Sequence, residues 1–203
     1  MTTRTWIGLG CALVALALGL GVARADEGDD DQTAAARRAV IVLRILAYDR
    51  ALATRSPGGE VIVFVVAGPD RRGRTERELW QAGFALLPKV KVGGRPVRAI
   101  AIDYEDAGKL DALVARQHPA AMIVTEGLGG AASALRHVAD ARQVIAVSLR
   151  EAEVRDGYAI GLIAGDKRDE IAINLEAARG EGARFGAGLL QLARIVDGGG
   201  SAP

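Results

Sequence analysis

Seven consecutive residues, Val61-Ile62-Val63-Phe64-Val65-Val66-Ala67, carry no polar side chain and are mostly β-branched. Gly58-Gly59 precedes the run and Gly68-Pro69 follows it. Successive side chains of a strand point to opposite faces, so a strand apolar at every position must be covered on both. One covering layer cannot do this. The run therefore demands helices on each side of a sheet, and the sequence around it supplies them.

Strand and helix patterns alternate downstream. A helix over about Thr75–Leu87 carries Thr75 and Glu78 at capping-box spacing and stops at Pro88. Lys89–Val92 reads as a short extended piece, Gly93-Gly94 as a turn and Val97–Ile102 as a strand. Helix Ala107–Gln117 leads to strand Ala121–Thr125, and helix Gly130–Arg142 to strand Val144–Ser148. Such alternation argues for right-handed crossovers and a parallel sheet. After Ser148 the pattern changes. A turn at Arg150–Asp156 precedes strand Tyr158–Ala164, a charged turn at Gly165–Asp169 and a hairpin partner at Glu170–Asn174. Helices are expected at Leu175–Arg179 and Gly186–Val196. The expected fold is α/β: a single-domain three-layer sandwich, its sheet mostly parallel with an antiparallel edge hairpin.

The amino end is of another kind. Arg4 is followed by a 17-residue uncharged run, Trp6–Val22, then Ala23-Arg24-Ala25 and an acidic string from Asp26 to Asp31. A basic start, an apolar stretch and a small-x-small site are the parts of a secretory signal peptide, cleaved after Ala25. The expected organisation is a signal peptide over 1–25, a flexible acidic leader over 26–33, the α/β domain over 34–197 and a flexible Gly-rich tail over 198–203. The expected destination is the periplasm. Cleavage leaves 178 residues, with 24 basic against 25 acidic, a net charge of −1. No basic excess points to nucleic acid. The single cysteine, Cys11, leaves with the signal, so no disulfide and no thiolate metal site are expected.

A first helix over about Ala34–Thr54 is apolar nearly all round, through Val40 to Leu43, Ile45 to Ala47 and Leu52. It needs cover on more than one side, from another helix or a second subunit. A homodimer through the apolar first or last helix is the expected assembly.

Candidates for chemistry are few. His118 and His137 lack metal-ligand spacing and an acidic partner, and Ser148 stands in no Gly-x-Ser-x-Gly turn. No catalytic set, metal site or cofactor is expected. A ligand site, if present, belongs at the carboxyl ends of the parallel strands. The residues placed there are Asp70, Asp103, Thr125, Glu126, Gly127, Gly129 and Ser148. Thr125-Glu126-Gly127-Leu128-Gly129-Gly130 ends a strand and opens a helix, where free N–H groups can hold an anion. The plainer alternative is that these loop ends are polar because they meet water.

The last third is the most distinctive. A strand led by Asp156-Gly157-Tyr158 and a charged turn precede Ile173-Asn174-Leu175-Glu176-Ala177-Ala178-Arg179. Then come Leu189-Leu190-Gln191-Leu192-Ala193-Arg194-Ile195-Val196. This order resembles the YfiR-like family of exported bacterial proteins, most closely over Asp156–Val196. The resemblance implies a small periplasmic α/β domain, often dimeric. It implies a non-enzymatic regulatory role: repression of a membrane-bound diguanylate cyclase, and so control of cyclic-di-GMP, by binding the partner's periplasmic region. The first helix departs from the family pattern, ending Tyr48-Asp49-Arg50 rather than in Trp-Pro. A second expectation is a periplasmic small-ligand-binding protein using the strand-end crevice.

Overall fold

The computed structural model describes residues 22–165 and 168–198, with side chains from residue 30 onward. The apolar run is strand β1 (Val61–Ala67), and every residue in it is buried. It stands third in an eight-stranded sheet of order β2-β3-β1-β4-β5-β6-β7-β8. β3 (Arg95–Asp103) and β4 (Ala121–Val124) flank it, both parallel, with Val63 opposite Ala99 on one side and Ala121 on the other. β5 (Ile145–Ser148) and β6 (Ile160–Ile163) extend the parallel set. β7 (Glu170–Ile173) returns antiparallel to β6. The two-residue β2 (Lys91–Val92) closes the other edge antiparallel to β3 through a turn at Gly93-Gly94, both of positive φ.

Alternation along β1 divides the core between two faces. Val61, Val63 and Val65 pack with Ile123, Ile145 and Val147 under α1 (Val22–Ala47), α3 (Arg71–Ala85) and α8 (Ala187–Leu192). Ile62, Phe64 and Val66 pack with Met122, Val124 and Ala146 under α4 (Ala107–Gln117) and α5 (Ala132–Arg142). The fold is the expected α/β sandwich. Among the described residues, no helix is long and apolar enough to cross a membrane.

Several boundaries move. Residues 1–21, with Cys11 and most of the expected signal peptide, lie outside the described residues, as do 166–167 and 199–203. The backbone of 26–33, expected as a flexible leader, belongs to α1. That helix stops at Ala47 instead of reaching Thr54. Buried Asp49 forms an isolated antiparallel bridge with Phe185, and a separate turn of helix, α2 (Leu52–Arg55), follows. α3 starts at Arg71, four residues before the expected capping box, because the Asp70 carboxylate accepts the Gly73 N–H at 2.7 Å.

Arg150–Asp156, expected as a turn, contains the helix α6 (Glu151–Arg155). α7 (Leu175–Gly180) begins at Asn174, whose side-chain oxygen accepts the N–H groups of Glu176 and Ala177. The last helix ends at Leu192, not Val196. Arg194–Ile195 is a strand, β8, parallel to β7, so the hairpin is not the outermost element of that edge. Val196 is then buried against Val154 and Ala172 beyond the strand.

The all-round apolar first helix is explained by its neighbours. Ala39, Val42, Leu43, Ile45 and Leu46 are buried against the sheet and α3. The two helices cross closely at Gly83, where a Cβ would lie 2.6 Å from the backbone of Ala35.

Candidate functional site

The parallel strands stand in the order β3-β1-β4-β5-β6, and the chain reverses its direction of winding at β1. In a doubly wound sheet that reversal opens a crevice at the strand ends, here between the loops after β1 and β4. The structure brings Asp70, Thr125, Glu126 and Gly127 together at that place.

Their groups are engaged with one another. Asp70 caps α3, and Gly127, with φ +87°, presses against its carboxylate: a Cβ there would lie 2.5 Å from Oδ2. Thr125 is fully buried and its hydroxyl oxygen accepts the Gly68 N–H at 3.2 Å. The Glu126 N–H, the anion-holding donor expected of such a loop, donates to the Glu76 carboxylate at 2.7 Å. Burial raises the Glu76 carboxyl above the ordinary range, against the lowering effect of that hydrogen bond. The Glu126 side chain faces outward and pairs with Arg72 at 3.2 Å. Gly129 lies in a single 3-10 turn, Gly129–Ala131, with open space around it.

Ser148 joins the crevice indirectly. It is buried, donates to Glu153 at 2.5 Å and accepts the Arg150 N–H at 3.0 Å. Arg150 reaches from there to the Thr125 carbonyl at 3.3 Å and to Glu153 at 2.6 Å. Asp103, at the end of β3, pairs with Arg77 of α3. The residues that close the crevice, Glu76, Arg150 and Glu153, were missed from sequence. Each sits on a helix or its cap and is brought in only by packing. The one local signal was Arg150 and Glu153 at the spacing of a helical ion pair.

Chemically, the site offers carboxylates matched to donors, except that the buried Glu76 Oε1 has no partner. His118 caps the far end of α4, at the amino ends of the strands, and His137 lies within α5. Among the described residues, no cluster of three or more His, Cys, Asp or Glu could hold a metal ion.

Cavities lie elsewhere. One of about 300 Å³ sits at the amino ends of the strands, beside Arg55, His118 and Gln143. Another, of about 520 Å³, is a groove between α1 and α8. Ile41, Tyr48, Ile171, Leu189 and Leu192 line it with Arg44. Tyr48 and Leu192 are 42% and 68% exposed there.

Solved structures share this fold at low identity. A conserved domain protein of Vibrio cholerae matches at TM-score 0.57 and 12% identity, over 79% of this chain and 59% of that one. An ABC domain in complex with L-Trp from Streptococcus pneumonia matches at 0.52 and 11%, over 75% and 62%. CD0873, a substrate binding protein with adhesive properties from Clostridium difficile, matches at 0.50 and 10%, over 72% and 57%. This chain thus spans less than two thirds of each of these proteins. No curated protein matches it. The profile of the YfiR/HmsC-like family matches residues 35–194, from the first buried turn of α1 to the start of β8. The chain belongs to the YfiR/HmsC-like family.

Proposed function

We propose that this protein is an exported, non-enzymatic regulator that acts in the periplasm by docking another protein. The observation that carries this reading is the α1–α8 groove: an exposed apolar surface built by the first helix and the family's carboxyl-terminal motif. Family membership supports the rest. The partner proposed is the periplasmic region of a membrane-bound diguanylate cyclase, held inactive while the regulator is bound. Homodimerisation through the first or last helix is part of the same proposal, since both helices present this face.

Deleting the gene should raise cellular cyclic-di-GMP, and restoring the wild-type gene should lower it again. A Leu192→Asp variant should fail to restore it, because a charge in an apolar docking groove removes association while an exposed position leaves folding intact. Unchanged cyclic-di-GMP on deletion would remove the cyclase as partner. A strictly monomeric protein at micromolar concentration would remove the dimer.

A second reading, a periplasmic small-ligand-binding protein using the strand ends, is favoured by the fold it shares with a domain solved in complex with L-Trp and with a substrate binding protein. A ligand there must displace Glu76 from the Glu126 N–H. Binding should raise the melting temperature, and a broad screen of small anions without any shift would end this reading.

A further inference from the structure

The outer side of α1 carries a charge pattern of its own. At about 100° per residue, Asp30, Arg37, Ile41, Arg44 and Tyr48 fall on one stripe of the helix. Ala35, Ala39, Val42, Leu43 and Leu46 are buried on the opposite side. Asp30, Arg37, Arg44 and Tyr48 are exposed and Ile41 is half-buried. The signs are segregated along the stripe. Asp30 and exposed Asp31 end the acidic string that starts at Asp26, and the charged residues that follow on α1 are all arginines. Arg38 turns away to pair with Asp169 at 3.0 Å. Among the described residues, Asp30, Asp31, Arg37 and Arg44 form no ion pair within the chain.

We propose that this stripe pairs antiparallel with the same stripe of a second copy, Asp30 and Asp31 of each copy lying against Arg44 of the other. The proposal rests on the homodimer reading above and gives that dimer its orientation and its contacts. A surface that is acidic at one end and basic at the other is complementary to itself only when reversed. Parallel pairing would set Arg37 and Arg44 against their own copies, and like charges facing one another select against that arrangement.

The shape of the surface agrees. The stripe is a ridge between two grooves: the one of about 520 Å³ toward α8, and one of about 170 Å³ toward β2 lined by Val40, Val90 and Val92. Arg44 and Ala47 border both. A ridge beside a groove can seat the ridge of a second helix, and at a shallow crossing of about 20° two helices stay in contact over several turns. Asp30 and Arg44 stand about 21 Å apart along the axis, so a crossing centred near Arg37 makes the Asp–Arg contact twice, once on each side. Val40 and Ile41 then face Ala34 and Thr33 of the second copy. Arg37 meets its own copy at the two-fold axis, the like-charge contact that this register has to carry.

Sedimentation velocity of the protein purified from the periplasm measures the dissociation constant of the dimer. Arg44→Glu should raise it roughly ten-fold, and Asp30→Lys with Asp31→Lys should do the same, because each change turns attraction into repulsion at both ends. All three substitutions in one chain should restore it to within about three-fold of the wild type, since the pairs re-form with reversed sign. Arg37→Gln should lower it several-fold. For the wild type, going from about 50 mM to about 500 mM salt should raise it several-fold. A dimer indifferent to Arg44→Glu, not rescued by the combined variant, not tightened by Arg37→Gln or insensitive to salt overturns the antiparallel pairing and leaves homodimerisation standing. A strictly monomeric wild type removes both. All four positions are exposed, so folding is kept, and the salt series needs no variant at all.

Discussion

At the scale of single residues, the strand-end crevice is organised by carboxylates that the chain uses on itself. Asp70 satisfies the first turn of α3 and buttresses the positive-φ Gly127, so Asp70→Ala should cost about 1 kcal/mol or more in urea unfolding. Glu76 presents a different case. Its carboxyl is raised by burial, so its contribution to stability is complete below the ordinary carboxylate range. That contribution is lost as pH rises through the raised folded-state value. Glu76→Gln keeps an oxygen for the Glu126 N–H and removes the ionisation. The variant's stability should be flatter than the wild type's from about pH 4 upward; parallel curves would refute the assignment. Glu151 behaves oppositely. Arg194 and Arg155 hold its carboxyl down to about 2, so the link it makes between α6 and β8 persists into strong acid.

At the scale of elements, α1 and α3 cross in close contact. Gly83 lies against the backbone of Ala35, which has no flexible end to move aside. Gly83→Ala should therefore destabilise by about 1–3 kcal/mol, although the same change in an exposed helix raises helix propensity. An unchanged or raised melting temperature would show that the helices can separate without loss. Most elements were legible from the sequence because each carried its own period or stop signal. β1 declared itself by unbroken β-branched residues, and α4 matched its expected bounds, capped by the Asp106 side chain on the Lys109 N–H at 2.9 Å. The misread elements share one cause. α8, α6 and the end of α1 are settled by partners distant in sequence. Val196 reaches β7 through a bond to the Ile173 carbonyl, and buried Asp49 turns the chain by accepting Arg184. A local pattern carries no record of either. The meeting of the loops after β1 and β4 was legible in position, since it follows from strand ends and winding order. Closure there by Glu76 and Arg150 was not, because those side chains arrive from other elements.

At the scale of the whole molecule, the two helical layers share one sheet, and β1, β4 and β5 contribute side chains to both faces. Loss of packing on either face should therefore be felt on the other. Phe64→Ala, in the layer under α4 and α5, should cost about 3–5 kcal/mol. Trp80 lies in the opposite layer, and its fluorescence should report the lowered transition at the same temperature as far-ultraviolet circular dichroism. Separate transitions would mean that the layers unfold independently. The sequence by itself determined the class of fold, the meeting place of the loops after β1 and β4, and the family. These rest on periodicity, chain order and local motifs, which are properties of a chain read in one dimension. Only the tertiary structure decided that the crevice is closed by the chain's own carboxylates. It alone showed that α1 and α8 leave an apolar groove between them, and that buried Asp49 pairs with Arg55. Each of those depends on burial that exists only once the sheet has brought distant elements into contact.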